Sequence, residues 1–552
     1  MKFWLFALLL FPALLLPAVA ATNQDADFLA ARDAFRLGNA TKLDTLAARL
    51  KHHPLEPYLA YYQLRIRLET ASPASIQTFL ARTADTPISD RLRAEWLKLL
   101  GQKQQWKTFM TEYARLVNTE VEIICYALQA RQHLYDDKVG DETRDIWLAG
   151  DKELPKSCTP LFDEAMSNGI ITETDSWSRL HLVLEAGNVS LAKQISKKLS
   201  ASHVLATAAL DSAAADPERY LNKISLDNAS EAQRMIALFA LHRLAKQLPQ
   251  LAYTQWLRIG NKFTLDEQRY FYGWLGYEAA RKLDKRALDW YRAAQEIPLN
   301  EAQLAWRTRA ALRAHDWNEV LLSITVMTPQ QQREGVWRYW KARALQAAGQ
   351  ISEAQELLGE LSREYNFYGV LAAEELGAAS ASGIISAHYQ PSQAEIDAIL
   401  ARPAIQRTLA LYRMDLRTDA ALEWIWAVRS FDDKQLLVAA EIARRNEMYD
   451  HAISAADRTV QLHDFNLRYV APYREALQGY IRKNELEEAW VYGLMRQESR
   501  FVTQAKSNVG ASGIMQIMPA TARWIANKLG IKDYRRALVH QLDTNLKLGT
   551  YY

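Results

Sequence analysis

The sequence predicts an all-α protein, and three observations along the chain carry this prediction. From Asp25 to about Ala378, apolar residues recur at three- and four-residue spacing, as in 179–187 and 189–199. This is the spacing of a buried helix face. Many of these segments end in Gly or Asn or in a short polar loop, as helices joined in pairs do. Alternating β-branched residues, which are typical of strands, are almost absent.

A weak internal repeat lies within this helical stretch. Trp274, Trp306 and Trp340 are spaced by 32 and 34 residues, and the last two open similar segments rich in Ala and Arg. This length and the small Ala positions are typical of tetratricopeptide-like helix hairpins. Stacked hairpins of this kind form a curved superhelix.

The helical pattern is interrupted once and then resumes. Residues 378–383 are small and polar, and Pro391 disfavours helix in the residue before it. Helices are expected again from Ser392 to Asp457, where Trp424 and Trp426 are interpreted as packing residues rather than as a platform for a sugar. A last segment begins near Tyr469.

Length, composition and charge limit the classes of function that the protein can have. A chain of 552 residues is expected to hold several domains, and with 49% hydrophobic residues it can bury a large core. The net charge of +3 is small for this length, so that nothing indicates nucleic-acid binding. No His-Glu-x-x-His, Cys-x-x-Cys or EF-hand pattern occurs, so no metal site and no cofactor are predicted.

The N-terminus is typical of a secretion signal. Lys2 precedes an apolar run from Phe3 to Leu16, and Ala18-Val19-Ala20 forms a cleavage site. A membrane anchor is the alternative, but the prolines in the run favour removal near Ala20. Export would make Cys125 and Cys158, the only two cysteines, a candidate disulfide, with two separate buried thiols as the alternative.

The most informative segment runs from Gly493 to Pro519. Glu498 lies at the end of an apolar helical stretch, and a glycine-rich loop and a second helix start follow it. The apolar residues expected around this acid are Leu494, Met495, Phe501, Met515 and Met518. Because apolar surroundings disfavour a charged carboxyl, Glu498 is expected to stay protonated near neutral pH and to act as a general acid. The alternative is a solvated glutamate or a helix cap.

The motif order in this segment resembles a known family. Glu498-Ser499, followed by Ser507-x-x-Gly-Ala-x-Gly-Ile-Met-Gln516, is similar to the first two motifs of the lytic transglycosylases of the lysozyme-like superfamily. Ile514 stands where the family has Leu, which conserves volume. The whole chain resembles the soluble periplasmic lytic transglycosylases, in which a ring- or horseshoe-shaped helical superstructure precedes the catalytic domain.

This resemblance implies a domain organisation. We expect a signal peptide at 1–20, an α-superhelical domain at 21–385, a helical linker domain at 386–468 and a lysozyme-like transglycosylase domain at 469–552. The family's third motif, Ala-Tyr-Asn, is absent, because the chain ends at Tyr552 within an Asn-x-x-Leu-Gly-x-x-Tyr helix. The catalytic domain is therefore expected to be truncated at its C-terminus.

The resemblance also implies the reaction. Glu498 would first protonate the glycosidic oxygen between N-acetylmuramic acid and N-acetylglucosamine and then act as the base, so that a 1,6-anhydro sugar forms without water. Ser507, Gln516 and Met518 match residues of the family that contact the substrate, although Ser507 could be a simple turn residue and Met518 ordinary core. The expected partners are peptidoglycan glycan strands in the periplasm and, through the helical repeats, proteins of cell-wall synthesis or remodelling.

Two other functions remain open at this point. A lysozyme-like hydrolase would use a similar glutamate but needs a second carboxylate, and the nearby Asp533 and Asp543 are more typical of helix caps. A helical-repeat scaffold with an inactive catalytic segment is the third hypothesis. The masses of the products formed from peptidoglycan distinguish the first two.

Overall fold

The computed structural model describes residues 23–134, 138–377 and 386–552. The predicted signal peptide at 1–20 and the break at 378–383 lie outside these ranges. Up to residue 377 the helices are α1 (Asn23–Arg36), α2 (Ala40–Arg49), α3 (Glu56–Ile66), α4 (Pro73–Arg82), α5 (Pro87–Gln102), α6 (Trp106–Tyr113), α7 (Val121–His133), α8 (Val139–Leu148), α9 (Thr159–Ser167), α10 (Glu173–Ala186), α11 (Val189–Ser196), α12 (Thr207–Ala215), α13 (Pro217–Lys223), α14 (Glu231–Gln247), α15 (Pro249–Ile259), α16 (Leu265–Arg281), α17 (Ala287–Ala294), α18 (Glu301–Ala314), α19 (Trp317–Thr325), α20 (Pro329–Gln332), α21 (Gly335–Ala347), α22 (Ile351–Leu361) and α23 (Phe367–Glu375).

The described residues from 386 onward are helical as well. Their helices are α24 (Gln393–Leu400), α25 (Pro403–Arg413), α26 (Arg417–Val428), α27 (Asp433–Arg445), α28 (Tyr449–Asp457), α29 (Phe465–Arg468), α30 (Arg474–Lys483), α31 (Glu488–Ser499), α32 (Pro519–Lys528) and α33 (Leu542–Tyr551). Short 3₁₀ helices lie at Lys156–Cys158, Gly260–Lys262 and Arg536–His540. Isolated β-bridges at Ser512 are the only strand-like pairings in the described ranges, so the all-α prediction is confirmed.

Local sequence signals set where many helices begin. In a capping box, the side-chain oxygen of the N-cap residue accepts the backbone N–H of the third helical residue. The side chain of that third residue in turn accepts the backbone N–H of the N-cap residue, so two N–H groups at the helix start are paired. Such capping boxes begin α10, α14, α16, α18, α24 and α27. Proline in the first turn begins others, among them α25 and α32, where its missing N–H costs nothing.

The chain divides into two compact units. The first unit contains the described residues up to Leu99, the segment Arg115–Asn118 and residues 386–552. The second unit contains Leu100–Ala114 and the described residues from Thr119 to residue 377. Within the second unit, a large apolar core runs through the helices from α7 to α17. Smaller clusters continue it around α18 to α23.

The N-terminal helices share the first unit with α25 and α26. Asp25, buried in α1, accepts hydrogen bonds from Nε and Nη2 of Arg413 at 2.8 and 2.9 Å. These bonds lower the pKa of the Asp25 carboxyl. The hydroxyl of Tyr58 donates to Glu423 at 3.0 Å, and the indole N–H of Trp426 donates to the carbonyl of Asp85 at 2.9 Å. The domain bounds 21–385, 386–468 and 469–552 stay a prediction.

The tryptophan repeat corresponds to successive helix hairpins of the second unit. Trp274, Trp306 and Trp340 lie in α16, α18 and α21, and these helices pack against α17, α19 and α22 respectively. Trp306 and Trp340 are packed against apolar cores. The interpretation of Trp424 as a packing residue is also confirmed, because its side chain is 1% exposed.

The predicted disulfide is present in the second unit. Cys125 in α7 and Cys158 in the 3₁₀ helix are bonded, and both are fully buried. Hydrogen bonds run beside it: Gln129 donates to the carbonyl of Ser157, and the Ser157 hydroxyl donates to the carbonyl of Glu122. The segment 156–158 is therefore held against α7 by one covalent bond and two polar contacts.

Removal of this disulfide is expected to destabilise the second unit. The cysteines are 33 residues apart, and closing a loop of that length contributes about 3–4 kcal/mol in the chain-entropy model. Dithiothreitol should therefore lower the melting temperature of the wild-type protein. The double variant Cys125→Ala/Cys158→Ala should melt at the lower temperature with or without reductant. Two free thiols in the mass spectrum of the unreduced protein would contradict the prediction.

Candidate active site

The helix α31 separates a buried face from an exposed apolar face. Val491 and Met495, four residues apart, are 3% and 0% exposed and pack into the core of this region. Trp490 and Leu494 lie on a different stripe and are 66% and 39% exposed. Because residues four apart lie above one another on a helix, Glu498 continues the exposed stripe of Trp490 and Leu494. An acid therefore stands at the end of an unusually apolar open surface.

The expectation that Glu498 is buried among apolar side chains is wrong. Its side chain is exposed, and it has no hydrogen bond or ion pair within the described ranges. Of the apolar residues expected around it, Met495, Phe501 and Met515 face the core, whereas Leu494 and Met518 are 39% and 42% exposed. The helix period explains this, since steps of four continue the buried stripe of Val491 and Met495 to Ser499. The same steps continue the exposed stripe of Trp490 and Leu494 to Glu498. The carboxyl is thus free and accessible.

Ser499 fixes the end of α31 against the glycine-rich loop. Its hydroxyl donates to the carbonyl of Ile514 at 2.7 Å and accepts the N–H of Phe501 at 3.1 Å. Arg500 and Phe501 have φ of 48° and 68°, which reverses the chain directly after the helix. Ser499 is therefore a positioning residue, because its hydroxyl keeps the loop next to the helix end that carries Glu498.

The loop itself is a tight turn built around Gly513. Ser512 and Ile517 exchange backbone hydrogen bonds at 3.1 and 3.0 Å, and the N–H of Gly513 donates to the carbonyl of Ala505 at 2.9 Å. Gly513 has φ of 80°, and a Cβ there would lie 2.1 Å from Nδ2 of Asn545. Only glycine fits at this position, because the backbone is left-handed and the adjacent space is filled.

Asn545 in α33 holds this turn and was not predicted as a site residue. It is 1% exposed; its Oδ1 accepts the N–H of Met515 at 2.8 Å, and its Nδ2 donates to the carbonyls of Ser512 and Val539 at 3.1 and 2.8 Å. One side-chain amide thus satisfies three backbone groups. The signal was present in the Asn-x-x-Leu-Gly pattern near the end of the chain, but the pattern does not say what the asparagine contacts.

The structure places the three predicted substrate contacts on this loop and just beyond it. Ser507 is half-buried, and its hydroxyl oxygen accepts the N–H of Ala511 at 2.9 Å, which leaves the hydroxyl hydrogen for another acceptor. Gln516 is half-buried with φ of 47°, and its amide donates to the carbonyls of Ala505 and Gly513 at 3.1 and 2.8 Å. Met518, directly before α32, is 42% exposed. Their roles toward a substrate stay predictions.

The two aspartates considered as a second carboxylate have other surroundings. Asp543 accepts a hydrogen bond from the Tyr480 hydroxyl at 2.6 Å, which joins α33 to α30. Asp533 lies on the exposed segment between α32 and α33. In the described ranges no group of three or more His, Cys, Asp or Glu side chains could hold a metal ion.

Comparison with known proteins identifies both parts of this unit. The profile of the transglycosylase SLT domain matches residues 475–552, and that of the soluble lytic murein transglycosylase L domain matches residues 398–462. The soluble lytic murein transglycosylases of Escherichia coli (strain K12) and Salmonella typhimurium are each 25% identical over 516 residues, which cover 91% of this chain and 78% of each relative.

A solved structure extends the similarity along the chain. The lytic transglycosylase of Pseudomonas aeruginosa, solved as an inactive mutant, is 28% identical with a TM-score of 0.75 over 95% of this chain and 85% of that one. Along nearly all of its length the chain is similar to soluble lytic transglycosylases, and its SLT domain makes it a peptidoglycan lytic transglycosylase. The 70 kDa soluble lytic transglycosylase of Escherichia coli, at 21% identity and a TM-score of 0.66, covers 96% of this chain and 85% of its own and has the same fold.

In this transglycosylase an ion-pair cluster joins α31 to the segment matched by the L domain. Nη2 of Arg496 donates to both carboxylate oxygens of Asp457 at 3.0 Å, and Nε of Arg468 donates to Oδ1 of Asp457 at 2.9 Å. The guanidinium of Arg496 also lies over the ring of Tyr469 at 5.1 Å. Charge-assisted contacts are stronger than neutral ones, so Arg496 ties the helix that carries Glu498 to the segment that contains Asp457.

Proposed function

We propose that this chain cleaves the β-1,4 bond between N-acetylmuramic acid and N-acetylglucosamine in peptidoglycan and forms 1,6-anhydromuropeptides, with Glu498 as acid and then as base. The match to the SLT domain and the similarity to soluble lytic murein transglycosylases make the chain a peptidoglycan lytic transglycosylase. The proposal concerns the bond, the residues and the order of steps. The observation that supports it most directly is the exposed carboxyl of Glu498 at the end of an exposed apolar stripe and beside a hydrogen-bonded loop.

The reaction balances without water. Glu498 gives its proton to the glycosidic oxygen as the bond from that oxygen to C1 of the muramoyl residue breaks. The carbonyl oxygen of the substrate's own acetamido group stabilises the charge at C1, which a second carboxylate would do in a hydrolase. Glu498, now ionised, removes the proton from the C6 hydroxyl as the C6 oxygen bonds to C1. The glutamate ends protonated, ready for the next strand.

Bound substrate would itself supply the apolar surroundings that Glu498 lacks in the free protein. A glycan strand lying against Leu494 and Met518, which are both partly exposed, would exclude water from the Glu498 carboxyl. Loss of hydration favours the protonated form of a carboxylic acid. The acid would then be prepared for proton transfer only when a strand is present.

The contacts of the loop suggest a division of roles among the other site residues. The hydroxyl hydrogen of Ser507 is free to donate to the substrate's acetamido group, because its oxygen already accepts the Ala511 N–H. The amide hydrogens of Gln516 are used by backbone carbonyls, so its Oε1 is the atom left to accept a sugar hydroxyl. Met518 offers an apolar wall to the sugar ring.

We place the reaction in the periplasm, after removal of residues 1–20. Peptidoglycan lies outside the cytoplasmic membrane, and a buried disulfide such as Cys125–Cys158 persists in oxidising compartments. The relatives carry the word soluble in their names. Within the described ranges, no helix is long and apolar enough to cross a membrane.

Digestion of purified peptidoglycan by the full-length protein tests the proposed reaction. The expected products carry 1,6-anhydromuramoyl ends, which are lighter by one water than the reducing ends that a hydrolase makes. Mass spectrometry of the released muropeptides measures this difference directly. Reducing ends alone would replace the proposal with the hydrolase, and an absence of products would favour the inactive scaffold.

A further inference from the structure

Arg179 in α10 is a buried cation with no carboxylate partner in the part of the chain that the structure describes. Its side chain is 2% exposed. Nη2 donates to the carbonyl of Lys152 at 3.1 Å, the guanidinium lies 4.1 Å above the ring of Trp147, and Nε is buried without a hydrogen-bond partner. No ion pair to Arg179 occurs within the described ranges. Burial lowers the pKa of the guanidinium to about 10.

An unpaired buried charge is unusual in physical terms and in this molecule. Removing a cation from water is costly unless a partner compensates for the lost hydration. Three other buried arginines of the described ranges follow this rule: Arg307 contacts Glu319, Arg407 contacts Glu423, and Arg468 contacts Asp457. Arg179 has one neutral carbonyl and an aromatic face instead. The Arg179 guanidinium therefore has N–H donors available for an anionic partner.

A cavity is present where such an anion would bind. Arg179 lines a cavity of about 150 Å³ together with Lys156 and Lys198, and its other walls include Trp147 and Phe162. Lys198 contacts Asp163 at 2.8 Å. Glu153 also lines the cavity but forms no ion pair with Arg179. The cavity thus combines a buried cation with aromatic walls.

The disulfide stabilises one wall of this cavity. Lys156 begins the 3₁₀ helix that ends at Cys158, and Cys158 is bonded to Cys125 in α7. The Ser157 hydroxyl, which donates to the carbonyl of Glu122 at 3.1 Å, adds a second link. The position of Lys156 beside the cavity is therefore fixed by bonds that do not involve Arg179.

We propose that this cavity binds a small carboxylate carried on an apolar body, with Arg179 as the residue that binds the carboxylate. A guanidinium offers two parallel N–H donors that match a carboxylate, and the aromatic walls suit a short hydrocarbon group. A cavity of about 150 Å³ is large enough for benzene, so a group of similar size fits, such as propionate or the last residue of a peptide. This proposal does not depend on the catalytic role of Glu498.

Titration of the full-length protein with small ligands tests the proposal. Propionate and N-acetylalanine are the probes. Propionamide, which has no charge, is the control for charge, and inorganic phosphate, an anion of different shape, is the control for shape. Binding is measured by calorimetry and by the rise in melting temperature, which a ligand of the folded state must cause. We expect a saturable rise with the carboxylates and none with propionamide. Equal effects of propionamide, or binding of phosphate alone, would overturn the proposal.

Substitutions distinguish a ligand-binding role of Arg179 from a purely structural role. Arg179→Met should weaken carboxylate binding at least about ten-fold, the loss expected for a hydrogen bond to a charged group. Arg309→Met is the matched control, because Arg309 also lies over tryptophan rings, at 5.2 Å from Trp306 and Trp337, but does not line this cavity. Binding that is unchanged in Arg179→Met, or lost equally in Arg309→Met, would refute the assignment.

A milder variant covers the case in which Arg179→Met does not fold. Lys156 is exposed, so Lys156→Gln should fold normally and bind the carboxylates several-fold more weakly. Wild-type affinity in that variant would contradict the proposed cavity. The two probes also identify the source of the ligand: tighter binding of N-acetylalanine supports a peptide C-terminus, and equal binding supports a free small acid.

Discussion

Glu498→Gln is expected to abolish the release of anhydromuropeptides while the protein stays folded. The substitution removes the transferable proton, and loss of general acid catalysis alone typically lowers a rate by about 10²–10⁴-fold. The same residue is proposed to serve as the base in the second step, so both steps are affected. Glu498 is exposed and has no partner in the described ranges, so thermal melting should not change. Peptidoglycan digestion followed by mass spectrometry measures the activity.

The two aspartates provide controls of matched chemistry. Asp533→Asn changes an exposed carboxylate and should leave both activity and melting close to wild type. Asp543→Asn weakens the contact with the Tyr480 hydroxyl, which is 2.6 Å long, and should lower the melting temperature slightly while most activity remains. Normal turnover by Glu498→Gln would end the single-acid mechanism. An inactive but folded Asp533→Asn would point to a hydrolase with two carboxylates.

The helical fold was predictable because its signals are local. Helix faces repeat every three to four residues, and caps such as Thr172 with Asp175 can be recognised within one turn. The grouping of the N-terminal helices with α25 and α26 was not predictable in this way. It depends on contacts such as Asp25 with Arg413, which lie 388 residues apart, and no periodic pattern relates two such distant positions.

The sequence predicted which residues form the candidate site, and their roles stay a prediction, whereas the burial expected for Glu498 was wrong. The order of motifs in the sequence predicted one site from four residues: Glu498, Ser507, Gln516 and Met518. In the structure, Glu498 lies at the end of α31, Ser507 and Gln516 lie in the loop that follows, and Met518 directly precedes α32. The exposure of Glu498 depends on which stripe of α31 faces the core. Because both stripes carry apolar residues, the sequence did not indicate which of them is buried. The role of Asn545 depends on backbone groups that only the folded loop brings within reach.

Gly513→Ala is expected to disrupt the active-site loop. A non-glycine residue in the left-handed conformation at φ of 80° costs about 1–3 kcal/mol. The added Cβ would also lie 2.6 Å from the backbone carbonyl oxygen of Val539 and 2.1 Å from Nδ2 of Asn545. Displacing Asn545 leaves buried backbone groups unpaired, which brings the total to roughly 3–5 kcal/mol. We therefore expect a lower melting temperature and a loss of activity through the displaced loop.

Gly510→Ala is the control for Gly513→Ala. It separates the cost of the steric clash with Asn545 from the cost of the left-handed backbone conformation. Gly510 has φ of 96°, but the nearest atom to an added Cβ is 3.9 Å away, at Arg536. This variant therefore carries strain without a collision, about 1–3 kcal/mol, and should keep measurable activity. Melting curves and peptidoglycan digestion of both variants give the comparison. If the two substitutions lowered stability equally, Asn545 would not be the residue that holds the turn, because only Gly513 lies against it.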